Sequence, residues 1–172
     1  LNFFLLPPID KTTGITTHER SRQGETNDWL TPMHVIHALG PFDLDVAASE
    51  AEPYRCADRA FTWQNDGLSQ MWEGFVWCNP PYGPHTGKWL TRMHEHNNGI
   101  ALVFARTDTR AIQPALRHAT CAFFLSRRLQ FVRPNGKPGV HAGAPSLLLG
   151  YGATALNRLT NCGLEGVRMF SV

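Results

Sequence analysis

The stretch FVWCNPPYGPHTGKWLTRMHEHNNGIALVFA, residues 75–105, decides the fold. Its first five residues read as a strand. Asn79-Pro80-Pro81-Tyr82 ends that strand rigidly, because proline fixes φ, lacks an N–H and pushes the residue before it out of the helical region. TGKWLTRMHEH follows as a helix with Trp89, Leu90 and Met93 inward, and GIALVFA is a near-continuous apolar run of the kind buried on both faces of a sheet. Strand, helix and strand in this order are the unit of an α/β sheet.

Working outward, FDLDVAAS alternates and reads as a strand. TPMHVIHALG reads as a short helix, with Thr31 as N-cap, Pro32 in the first turn, Val35, Ile36 and Leu39 on one side and Gly40 as the stop. Toward the C-terminus, TRAIQPALRHA is a helix interrupted or kinked at Pro114, and CAFFLS and SLLLGYG are strands. The segment between those two strands, residues 127–145, is a basic hairpin-like excursion with turn residues Pro134, Asn135 and Gly136. Residues 1–28 are largely polar and aperiodic and read as a mobile arm; residues 29–172 read as a single domain. Together these elements predict an α/β sheet, mostly parallel, with a terminal antiparallel hairpin.

The hydrophobic content of 42% and charged content of 17% are those of an ordinary globular chain with one core. Cys56, Cys78, Cys121 and Cys162 stand apart, with neither a C-x-x-C pair nor the Cys/His spacing of a zinc site, so no metal is expected. Reduced cysteines, no run approaching a membrane span and an opening LNFFLLPP too short for a signal segment predict a cytoplasmic protein. The charge is uneven. Up to Pro80 there are five basic and eleven acidic residues, a net of −6; from Pro81 onward there are eleven and three, a net of +8. A basic half beside an acidic one suggests a polyanion held by C-terminal elements.

Ligands of open α/β sheets sit at the carboxyl ends of the strands. Asp45, Asp66 and Asn79 fall there, and Arg106-Thr107-Asp108-Thr109, following an apolar strand, should line the same site. GYGATA, residues 150–155, matches G-x-G-x-x-A, but it reads as strand-end glycine because only a short tail follows.

The ordered set WLTP, FDLDVAA, DGL, VWCNPPYG, RTDT, RRLQF and APSLLL, from about Trp29 to about Gly152, resembles the phage-type, Dam-like DNA N6-adenine methyltransferases within the class I S-adenosylmethionine-dependent enzymes. The resemblance implies a Rossmann-like sheet, S-adenosylmethionine as cofactor and double-stranded DNA as partner. It implies that Asn79 and the Pro80 carbonyl accept the two N6 hydrogens of adenine, with Pro81 stiffening the turn and Tyr82 stacking its face on the base. The chemistry fits: the lone pair of that amine is delocalised into the ring, and two acceptors that tilt the nitrogen toward tetrahedral localise it and stabilise the developing positive charge. Asp45 is implied at the methionine part of the cofactor, Asp66 near its ribose or adenine, and Trp29, Thr31 and Pro32 in the stretch that closes over it. Arg106, Arg127, Arg128, Arg133 and Lys137 are implied as DNA contacts.

In one respect the sequence departs from most class I enzymes. FDLDVAAS lacks their glycine-rich turn, so backbone approach relies on Ala47 and Ala48. The 34 positions from Asp45 to Asn79 are few for two complete βα units, which predicts a trimmed sheet. Two other functions share these residues: methylation of a protein glutamine amide, which also uses Asn-Pro-Pro-Tyr, and DNA binding without catalysis.

Overall fold

The computed structural model describes residues 29–50 and 54–170; the expected arm, residues 1–28, lies outside them. In chain order the elements are α1 (Met33–Leu39), β1 (Leu44–Asp45), β2 (Arg59–Ala60), a 3-10 turn (Trp63–Asn65), β3 (Val76–Cys78), α2 (Thr86–His96), β4 (Gly99–Phe104), α3 (Ile112–His118), β5 (Cys121–Leu125), β6 (Gln130–Val132), β7 (Pro138–His141), β8 (Ser146–Tyr151), α4 (Gly152–Asn161) and β9 (Gly166–Phe170).

Seven strands form one sheet in the order β2-β1-β3-β4-β8-β5-β9, and β6 and β7 pair separately as an antiparallel hairpin. β2, β1, β3 and β4 are mutually parallel. β8 inserts antiparallel between β4 and β5, so β5 runs with β4, and β9 closes the edge antiparallel to β5. The sheet is therefore mostly parallel, as expected of a Rossmann-like methyltransferase fold. Its apolar runs are buried on both faces. Ile100, Leu102, Phe123 and Leu148 pack with α1, α4 and the hairpin residues Leu129 and Phe131. Val76, Ala101, Val103, Leu147 and Leu149 pack with α2 and α3.

The sheet is trimmed, as the short interval predicts. Among the described residues between β1 and β3 the chain forms only the two-residue β2 and one 3-10 turn. FDLDVAAS is strand for only Leu44–Asp45, because the N–H of Ala47 turns back to Asp45 Oδ1 at 3.1 Å.

Three local expectations are corrected. Thr31 is not the N-cap: Pro32, at φ −58° and ψ 135°, occupies that position, and its extended backbone delays the first turn to Met33. Pro114 does not kink α3. It is the third residue of a helix that starts at Ile112, where a backbone N–H has no intrahelical partner to lose. The tail after Tyr151 is not a bare extension but α4 and β9, so GYGATA sits at the strand-to-helix junction of a β8–α4–β9 unit. Its glycines serve packing. A Cβ at Gly150 would press on Cys121 Sγ and Leu159 at 2.7 Å, and Gly152, at φ +85°, lies against the Asn97 carbonyl with its N–H held by Thr120 Oγ1 at 2.9 Å.

Candidate active site

At the carboxyl ends of β1 and β3 a cavity of about 380 Å³ opens. Trp29, Thr31, Asp45, Ala47, Asp66, Asn79, Pro80, Pro81 and Tyr82 all line it. Residues dispersed over more than fifty positions are thus brought together by the parallel pairing of Leu44 with Val76 and Asp45 with Trp77. Pro32 is buried at the start of α1 and is not in the lining; it acts on the cavity only by setting the course of the chain after Thr31.

Asp45 ends β1 with 3% of its surface exposed. Its carboxylate lies beside Cys78, and burial together with that charge pushes the Cys78 thiol well above its ordinary range, so Cys78 is a core thiol. Gly67 lets the loop after the 3-10 turn close on β1, because a Cβ there would collide with the Val46 carbonyl. Asp66 precedes it in the left-handed region at φ +49°, exposed at the cavity rim.

The Asn79 amide is held from both sides. Its Nδ2 donates to the Trp29 carbonyl at 3.1 Å, and its Oδ1 accepts the Tyr82 hydroxyl at 3.2 Å. The Tyr82 ring stacks on Phe104 with centroids 4.1 Å apart and planes 13° from parallel. One face of the tyrosine is therefore covered, and its hydroxyl is engaged, whereas the sequence suggests use of the face alone. Burial pushes the Tyr82 phenol up, which keeps it a donor. Thr86 Oγ1 donates to the Pro81 carbonyl at 2.9 Å and accepts the Gly83 N–H at 3.0 Å, pinning the turn to the first residue of α2. Among the described residues no donor reaches the Pro80 carbonyl.

The DNA N-6-adenine-methyltransferase (Dam) family matches residues 18–150, most of the chain and all of the cavity. The chain belongs to that family. Neither the curated proteins nor the solved structures contain a match to it. Membership agrees with the resemblance read from the ordered motifs and makes DNA adenine the substrate class of this Dam-family chain. No helix among the described residues is long and apolar enough to cross a membrane.

The expected DNA contacts are dispersed. Arg106 does not line the cavity, nor do Thr107, Asp108 and Thr109; its guanidinium lies over Phe104, the ring on which Tyr82 stacks, 5.7 Å from the ring centroid. Arg127 pairs with Glu165 at 3.5 Å, and Arg128 donates to the Ala142 and Gly143 carbonyls at 3.1 and 2.9 Å. Lys137 is exposed at the hairpin turn, which the Arg133 N–H closes on the Lys137 carbonyl at 2.9 Å. The hairpin also reaches the active site through its backbone. Leu30 and Val132 exchange two hydrogen bonds of 2.9 Å, and Gly139 faces the Trp29 ring so closely that a Cβ would lie 2.5 Å from it.

Trp63, 78% exposed on the cavity rim, escaped the sequence reading, as did the place of Trp77 in the cavity wall; Trp89, read from the sequence as an inward helix residue, lines the wall as well. Trp63 sits on a one-turn helix without a hydrophobic period, placed by the Thr62 N–H bond to Asn65 Oδ1 at 2.9 Å.

Proposed function

We propose that this chain transfers the methyl group of S-adenosylmethionine to N6 of adenine at a specific site in double-stranded DNA, after the base leaves the stack. The observation that carries the reading is that Asn79-Pro80-Pro81-Tyr82 and the buried Asp45 share one cavity. A base inside a duplex cannot reach such a concave site, so the adenine must be extruded into it.

The cavity suits the cofactor. Thr31 Oγ1 is buried and has no hydrogen-bond partner among the described residues, a polar atom that a ligand would satisfy. Asp45 supplies a carboxylate for a cationic ligand, and the Trp29, Trp63 and Trp89 rings supply faces for a cation or a flat base. Asp66 would take a ribose hydroxyl at the rim, with Ala47 leaving room for the ligand beside the bend. When bound, the cofactor supplies a methyl group on a sulfonium, a centre that a neutral amine attacks in line.

The protein's part is positioning and charge stabilisation. Asn79 Oδ1 and the Pro80 carbonyl accept the two amine hydrogens as the nitrogen becomes tetrahedral. A carbonyl oxygen has two lone pairs, so Oδ1 can keep the Tyr82 hydroxyl and take an amine hydrogen. Formation of the N–C bond would be matched by loss of the S–C bond with its electron pair left on sulfur, and the methylated nitrogen would then pass one proton to solvent water to restore a neutral amine. Arg133, Lys137 and their neighbours on the hairpin would hold the duplex. Residues 29–172 act as one methyltransferase domain, in the cytoplasm.

Transfer of tritiated methyl from S-adenosylmethionine tests the reading directly. Label should enter DNA and not a mixed protein extract. Label in protein alone, or cofactor binding with no transfer to DNA, would overturn it.

A further inference from the structure

We propose that a second surface, the groove between α2 and α3, holds backbone phosphates of the DNA strand beside the target adenine. The inference rests on the DNA reading above. The groove, about 410 Å³, is lined by Lys88, Arg110, Thr91, His94 and His118 among apolar neighbours. The four cationic or imidazole side chains belong to exposed residues. No carboxylate lines it among the described residues.

Its position follows from topology. α2 leaves β3 through the Asn79–Tyr82 turn and α3 leaves β4 through residues 105–111, so both helices begin at the cavity end of the sheet. Pro84, five residues after Asn79, lines the groove, and Gly87 lets Ala111 approach to 3.6 Å of its would-be Cβ. Lys88 and Arg110 therefore stand at the mouth nearest the cavity. His94 lies six helical residues further along α2, roughly 9 Å at 1.5 Å per residue, where its ring stacks on His118 at 4.3 Å. A DNA strand advances about 3.4 Å per phosphate along the axis, so the groove has room for about two contacts.

Charge selects this surface. After Pro80 the chain has three acids, Glu95, Asp108 and Glu165. Glu95 faces Arg92 at 3.7 Å and Glu165 faces Arg127, whereas Lys88 and Arg110 have no carboxylate partner among the described residues. Asp108 lies outside the groove lining. The groove is on the α2–α3 face of the sheet and the hairpin packs on the α1 face, so the two flank the cavity from opposite sides. A duplex laid across the cavity end meets both.

The test is fluorescence anisotropy of a labelled mixed-sequence duplex titrated with the full chain over a series of salt concentrations. The Lys88→Ala/Arg110→Ala double variant should bind roughly tenfold more weakly, with a log–log salt slope flatter by about two, since each lost phosphate contact removes about 0.9. Lys88→Arg/Arg110→Lys, which keeps both charges, should restore the parental slope. Calorimetric affinity for S-adenosylmethionine should match the parent in both variants, showing that neither is misfolded. A parent that binds DNA and a double alanine variant with the parental slope would overturn the groove alone. A parent with no affinity for DNA would overturn the groove and the proposed function together.

Discussion

The Tyr82 hydroxyl donates to Asn79 Oδ1 at 3.2 Å, across two prolines that leave the turn no freedom to separate them. Asn79 is thus aimed by its own motif. Tyr82→Phe should lose about 1 kcal/mol, the net worth of one hydrogen bond, seen as a roughly fivefold fall in the single-turnover rate. Tyr82→Ala should cost more, about 1–3 kcal/mol if the ring also carries base stacking. Burial raises the phenol, so its proton stays on below pH 10, and the parent should show no alkaline loss assignable to Tyr82 in that range. Equal rates for Tyr82→Phe and the parent would mean that the hydroxyl positions nothing.

Much of this arrangement is legible before folding, and the failures have local causes. α2 spans the expected Thr86–His96, because Trp89, Leu90 and Met93 recur at helical spacing and the strands on either side are apolar without interruption. α4 spaces Ala155, Leu156 and Leu159 at helical intervals but buries only Ala155 and Leu159 and is short enough to read as a tail, while every residue of β9 is exposed, so no buried alternation marks that strand. The cavity residues are legible because the strand ends are. The direction of a side chain is not: nothing in Asn-Pro-Pro-Tyr shows that the phenol folds back on the amide or that Phe104 covers its ring.

Asp45 is 3% exposed, and one of its oxygens holds the Ala47 N–H that bends the chain into the cavity. Asp45→Asn keeps an acceptor for that bend and removes the charge. It should weaken S-adenosylmethionine binding by about tenfold, the 1–2 kcal/mol scale of a charge-assisted contact, with the thermal midpoint little changed. Unchanged calorimetric affinity would remove Asp45 from the cofactor site.

The hairpin cations divide by their partners. Arg128 secures the Ala142 and Gly143 carbonyls, so Arg128→Ala should lower stability by roughly 1–3 kcal/mol, the scale for hydrogen bonds to a charged group. Lys137 has no such structural bond from its side chain among the described residues, and Lys137→Ala should leave stability intact while flattening the salt dependence of DNA binding by about one unit of slope. Urea denaturation and salt titration together separate the two. A Lys137→Ala variant with the parental slope would take the hairpin tip off the DNA.

Asn79 combines a structural and a chemical duty, and the two can be separated. Its Nδ2 bond to the Trp29 carbonyl ties the active site to the segment that the hairpin holds through Leu30, while in the proposed reaction Oδ1 would take an amine hydrogen. Asn79→Ala removes both, and loss of an acceptor whose benefit grows toward the transition state should lower the single-turnover rate by about 10²–10³-fold. Asn79→Ser restores a short polar group without reaching the same point, so it should recover stability but little of the rate. Affinity for S-adenosylmethionine should change little in either, because Asp45 and the tryptophan walls remain. Product nucleosides resolved by mass spectrometry give the decisive reading. N6-methyladenine must form with the parent and fall away in Asn79→Ala; N4-methylcytosine as the product, or a parental rate without Asn79, would mean that the amide serves some other reaction.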